Sequence, residues 1–157
     1  MNYKIRKIRA DEVEILDDFL YEAIFIPEGV ESLPREIIHL PELQLYVKNF
    51  GKNRGDNCLV AEVEGQIIGA VWVRIMNDYG HIDDETPSFS ISLLREYRNL
   101  GIGTELMKKM LTELKMQGYQ QASLSVQKAN YAAQMYLKIG FEIFCENEEE
   151  YIMIYRF

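Results

Sequence analysis

The chain has 157 residues, the size of one ordinary domain, with 48% hydrophobic and 27% charged residues, a globular composition that excludes an intrinsically disordered protein. Its net charge of −8 argues against nucleic acid as a partner, because a phosphate backbone needs clustered Lys and Arg. Two cysteines, Cys58 and Cys145, make no disulfide framework, no run approaches a membrane span, and the first residues lack an apolar signal core, so the expected setting is cytoplasmic with no membrane partner.

Ile5 to Arg9 predicts a first strand. Asp11 with Glu14 three residues on forms a capping-box pattern, and Leu16, Phe19, Leu20, Ala23 and Ile24 recur at helical spacing until Pro27 and Gly29 break the helix. Pro34 to Phe50 predicts one or two further helices, interrupted at Pro41. Cys58 to Val63 and Gln66 to Met76 read as strands joined by a tight Glu64-Gly65 turn. A loop from Gly80 to Pro87 leads to a strand over Ser88 to Leu94 and a helix over 102–117, closed by Gly118. Ala122 to Val126 is the next strand, Asn130 to Ile139 a short helix ended by Gly140, and Phe141 to Cys145 with Tyr151 to Arg156 a closing hairpin. The short acidic run from Glu146 to Glu150 reads as a solvated turn. This order predicts one domain over 1–157, a mixed α/β (α+β) fold with one mostly antiparallel, twisted sheet flanked by helices.

The segment that carries chemistry runs from Ser88 to Thr104. Glycines at a strand-to-helix turn let backbone approach a ligand, and the free N–H groups of the first helical turn make an anion site that fits a pyrophosphate. Arg98 is placed to add a charge-assisted contact. Taken alone, Gly101-Ile102-Gly103 reads as a turn that lets the helix pack. A Walker loop is excluded by the absence of Gly-Lys-Ser/Thr, and a dinucleotide fingerprint is weakened by Leu106 where a third small residue belongs.

Arg98-Asn99-Leu100-Gly101-Ile102-Gly103 resembles the R/Q-x-x-G-x-G/A signature of the GNAT-type N-acetyltransferases, and Asn130 to Phe141, with its Asn, Tyr and Gly-Phe, resembles that family's second motif. The likeness in element order covers Tyr3 to Phe157. It implies the GNAT-like acyl-CoA N-acyltransferase fold, acetyl-CoA (CoA) as co-substrate, no metal, and an amine-bearing small molecule or peptide as acceptor. It implies that the amides of Asn99, Leu100, Gly101, Ile102, Gly103 and Thr104 hold the CoA pyrophosphate with Arg98 beside them. It further implies that the backbone of Ile91 and Leu93 pairs with the pantetheine arm, that Asn130 contacts the cofactor near that arm, and that Tyr136 is the general acid. Two positions depart from the family pattern: Arg95 stands where proline is frequent, and Leu100 where a basic residue is frequent. The resemblance is compatible with a homodimer.

Direct attack of an amine on a thioester is mostly a matter of orientation, and the leaving thiolate needs a proton that a tyrosine can give. From spacing alone Tyr136 is a packed helix residue; the resemblance makes it the acid. An alkyl ammonium must lose a proton, and Asp84, Glu85, Glu22 and Glu28 are candidate bases, none of them singled out. His39 and His81 have no metal-ligand spacing. Cys58 and Cys145 are expected to be buried in strands, and Met107, Met110 and Met116 to lie in or near the core. Trp72 fits either the core or the acceptor pocket. Pro27 to Phe50, with Tyr21, Phe25, Ile26 and Tyr46 among Glu22, Glu28, Glu31 and Glu36, is the segment expected to read the acceptor. Three other readings stay open at this level: a non-catalytic acyl-CoA-binding module, an acetyltransferase of protein lysines or N-termini, and a nucleotide-dependent enzyme.

Overall fold

The computed structural model describes residues 2–77 and 81–157. Seven strands, β1 (Lys4–Lys7), β2 (Asn57–Val63), β3 (Gln66–Arg74), β4 (Ser88–Leu93), β5 (Gln121–Gln127), β6 (Glu142–Glu146) and β7 (Glu150–Arg156), form one sheet. Their order is β1-β2-β3-β4-β5-β7-β6, and every neighbouring pair is antiparallel except β4 and β5. The helices are α1 (Leu16–Ala23), α2 (Pro41–Gln44), α3 (Ile102–Met116) and α4 (Ala132–Ile139), with 3-10 turns at Ala10–Ile15, Arg35–His39 and Arg95–Tyr97.

Side chains alternate across a strand, so the central strands serve two layers. Cys58, Val60, Ala70 and Trp72 pack under α1 through Leu16, Phe19 and Leu20, together with Ile38, Val47 and Phe50. Leu59, Ala61, Val71 and Val73 pack on the other face under Leu106, Met107, Met110 and Leu114 of α3 and Ala133 and Tyr136 of α4. A register shift after Ala61 inserts Ile68 as an extra residue in β3, which is how Ile67 joins the first layer and Ile68 the second. Each of these fully buried aliphatic side chains stabilises the fold by about 1.5–3 kcal/mol. The Glu64-Gly65 turn has positive φ at both residues, the two-residue hairpin geometry that matches strand twist. Gly118 ends α3 in a Schellman motif, with Tyr119 N–H on Leu114 C=O and Gly118 N–H on Lys115 C=O, both at 3.1 Å.

Several expectations change in detail. The first turn is capped by Glu12 rather than by an Asp11–Glu14 box: Glu12 Oε1 accepts the Arg9 N–H at 2.8 Å, and the arginine side chain, having no acceptor, makes no reciprocal bond. Pro34 to Phe50 yields only a 3-10 turn and the four-residue α2, with Pro41 as its first residue, because proline fits where no helical N–H is needed. Trp72 is a core residue whose Nε1 donates to Tyr46 C=O at 3.2 Å. Met116 is 79% exposed because it stands about 200° round α3 from the buried Leu114, on the solvent face of the helix, and Cys145 is exposed because β6 is an edge strand. Cys58 is buried, and burial pushes its thiol up, away from nucleophilic use. Gly80, the start of the predicted loop, lies outside the described residues.

Candidate active site

The site begins where the sheet opens. β4 and β5 pair only at Ser88 and Ser123 and separate beyond that point. Along Ser88 to Leu93, β4 keeps its partner β3 on one side. On the other side its backbone faces a gap. Pro87 C=O accepts Ser123 N–H at 2.9 Å toward β5, whereas Leu94 N–H donates to Ile68 C=O at 2.9 Å toward β3. Backbone groups alternate between the two edges of a strand, so Ile91 and Leu93 present theirs to the gap, as an extended amide-bearing arm requires.

The open edge leads into the glycine turn. Asn99 and Gly101 both have positive φ, 62° and 86°. Gly101 caps α3 without any side-chain hydrogen bond, and the first bond of the helix is Glu105 N–H to Gly101 C=O at 3.2 Å. The N–H groups of Gly101, Ile102, Gly103 and Thr104 therefore have no acceptor among the described residues, and the helix dipole adds to their partial charge. The two glycines differ. A Cβ at Gly101 would meet nothing within 4 Å, so that side of the turn is open. A Cβ at Gly103 would lie 3.4 Å from Leu93 Cδ1 and 3.8 Å from Met135 Sδ, pointing into the packed layer. Ile102 is buried and Leu100 is exposed.

Arg98 is turned away from the amide cluster. Its Nε donates to Leu93 C=O at 2.9 Å, and its Nη2 donates to Glu22 C=O at 3.3 Å and Glu22 Oε2 at 3.1 Å. Sequence reasoning missed this partnership, as it missed Gly69, where a Cβ would collide with Leu93 Cδ2. The missing β-carbon at Gly69 gives Leu93 its seat between β3 and α3. The signal available in the sequence was a glycine inside a strand, which marks close approach by a neighbour.

α4 supplies the remaining groups. Asn130 Oδ1 accepts Ala132 N–H at 2.9 Å, which starts the helix and leaves the side-chain NH2 as a donor. Tyr136 is buried among the α3–α4 layer, its ring 6.0 Å from that of Phe141. Its hydroxyl has no partner among the described residues, yet no buried side-chain oxygen there is unsatisfied, so the hydroxyl reaches accessible space. Burial pushes the phenol up to about 12, which keeps it protonated at neutral pH.

The candidate bases are dispersed. Asp84 is almost fully exposed, 3.6 Å from His81, and Glu85 and Glu28 are exposed. Glu22 is committed to Arg98. Among the described residues no group of three or more His, Cys, Asp or Glu side chains is placed to hold a metal.

A model of the Acetyltransferase (GNAT) family matches residues 20–141, which include the gap, the glycine turn and α4. The chain belongs to the GNAT family. Among its relatives is an N-alpha-acetyltransferase of Sulfurisphaera tokodaii, 29% identical over 60% of this chain and 65% of that protein. Another is the [ribosomal protein bS18]-alanine N-acetyltransferase of Haemophilus influenzae, 40% identical over 37% of this chain and 40% of that protein. The chain thus matches less than two thirds of the length of either relative. The GNAT fold is matched over the full length of both chains by the PaiA N-acetyltransferase of Thermoplasma acidophilum, solved in complex with coenzyme A, at a TM-score of 0.74 and 22% identity.

Proposed function

We propose that this GNAT chain transfers an acetyl group from acetyl-CoA to a primary amine by direct attack, with Tyr136 as general acid. The observation that carries the reading is the β4 edge, free of a strand partner beyond Ser88, whose chain leads through the Arg95–Tyr97 turn to the N-terminus of α3, which has no side-chain cap. The donors present fit coenzyme A: backbone N–H groups for an anionic pyrophosphate, and a free strand edge for the amides of its arm. Acetyl-CoA supplies an acyl group already activated as a thioester. The backbone of Ile91 and Leu93 aligns the arm, and the Asn130 amide donates to it. The amides of Asn99 to Thr104 hold the phosphates, with the Arg98 charge behind them. The neutral amine nitrogen bonds to the thioester carbonyl carbon as the C–S bond breaks, the Tyr136 hydroxyl gives its proton to the departing sulfur, and the proton shed by the nitrogen leaves to solvent, from which the tyrosine is reprotonated.

The named relatives favour the α-amino group of a peptide or protein as the acceptor. The net charge of −8 supports a cationic substrate, since an α-amine or alkyl amine arrives protonated or nearly so.

The test is a thiol-release assay with acetyl-CoA and a panel of peptides with free N-termini beside small primary amines, read by free CoA and by the acetyl mass shift on the acceptor. Release that depends on acceptor, with a matching mass shift, is the expected result. Calorimetric binding of acetyl-CoA without any acetylated product would turn the reading to a non-catalytic acyl-CoA-binding module; no binding would remove it altogether.

A further inference from the structure

The Arg98 guanidinium joins two parts of the molecule that are far apart in sequence. One is the exit of β4 at Leu93, whose backbone faces the gap; the other is Glu22, in the last turn of α1. A helix C-terminus leaves carbonyls unpaired and favours a nearby cation, and α1 has no basic residue of its own in that turn. Arg98 supplies both the donor and the charge. Its planar fork allows Nε to hold one element while Nη2 holds the other, which a lysine ammonium cannot do in the same geometry. A second tie runs parallel to it: Ser92 Oγ, on β4, donates to Phe19 C=O of α1 at 2.6 Å.

From α1 the linkage continues outward. Tyr21 OH donates to Leu33 C=O at 2.5 Å, the Arg35 guanidinium stacks 5.1 Å above the Tyr21 ring, and Arg35 pairs with Asp18. The segment after α1 is thereby folded back onto the helix that Arg98 holds. Arg98 itself immediately precedes Asn99 and the glycine turn, so anything that fixes residues 99–104 restrains the backbone from which the guanidinium reaches Leu93 and Glu22. The contact is half-exposed, with 40% of the Arg98 and 25% of the Glu22 side chain accessible. A contact of that kind adds little static stability, but it can transmit order.

We propose that Arg98 and Glu22 form a positioning pair that couples filling of the cofactor turn to ordering of α1 and the segment up to Arg35. Glu22 is then an anchor and not the base. The inference rests on the coenzyme A reading given above.

Hydrogen exchange of peptides covering residues 20–35, with and without CoA, tests it in the wild type, Glu22→Gln and Arg98→Lys, alongside calorimetric CoA binding. In the wild type, CoA slows exchange in this segment by about fivefold. Glu22→Gln still binds CoA, within about threefold of the wild type, and loses the slowing. Arg98→Lys keeps the charge without the fork and loses it too. Undiminished slowing in Glu22→Gln overturns the coupling, as does a wild type that binds CoA with no change over 20–35. A wild type that does not bind CoA overturns the coupling together with the cofactor reading.

Discussion

The two glycines of the turn make opposite predictions. Gly101 has φ of 86° and open space where a Cβ would stand. Gly101→Asp therefore meets no steric conflict, and its folding cost is that of a non-glycine residue in the left-handed region, about 1–2 kcal/mol. Its carboxylate projects on the open side of the turn, where the amide cluster awaits an anion. Repulsion between unit charges some 4 Å apart is about 1 kcal/mol in water and about 4 kcal/mol near a protein surface. At about 1.4 kcal/mol per factor of ten, CoA affinity should fall by roughly five- to several-hundredfold. Gly103 is helical, and its Cβ would make ordinary contacts with Leu93 and Met135 inside the packed layer. Gly103→Ala should leave CoA binding within about threefold and raise stability by up to about 1 kcal/mol, the difference in helix propensity. Gly103→Asp would be a poor probe, because it buries a carboxylate among apolar side chains. Isothermal calorimetry with CoA, with thermal melts as the control for folding, measures both effects. Equal losses of affinity in Gly101→Asp and Gly103→Ala, or none in Gly101→Asp, would refute the assignment of the two glycines.

Removal of the Tyr136 hydroxyl breaks no hydrogen bond within the described residues, so Tyr136→Phe should melt within a few degrees of the wild type and bind CoA normally while losing turnover; retained turnover removes the acid role. The pH dependence follows from the same group. Burial raises the folded pKa to about 12, above the reference of about 10, so its contribution to stability is complete below pH ~10 and is lost as pH rises toward 12. Alkaline unfolding should therefore be shifted upward in Tyr136→Phe, and an unchanged alkaline limb would contradict this. Away from the site, the Arg74–Asp56 pair is buried, at 3% and 0% side-chain exposure. It holds Leu45 and Lys48 carbonyls and the Gly51 and Asn53 amides. Asp56→Asn leaves the Arg74 charge unpaired and should cost about 3–5 kcal/mol in urea denaturation, with a loss under about 1 kcal/mol counting against it.

What could be read in the sequence was what a backbone position demands. Gly101 and Gly118 need left-handed backbone, and the apolar spacing of Leu106, Met107, Met110 and Leu114 needs a sheet to cover it; both kinds of signal are local. What could not be read depends on partners elsewhere in the chain. Nothing in the pattern of Ser88 to Leu93 says that this strand has a neighbour on one side and a gap on the other, because alternation reports the faces of a strand and not its edges. Met116 is apolar but stands about 180° round α3 from Met107, so apolar character read without its phase overstates burial there. Arg98 is the sharpest case. Its position in the motif places it beside the anion site, and the direction of its side chain is decided by a carbonyl at Leu93 and by Glu22, 76 residues earlier in the chain. A guanidinium at the mouth of a cradle can face the ligand or brace the cradle from behind. The same residue type and spacing serve both arrangements, and only the acceptor opposite it tells them apart.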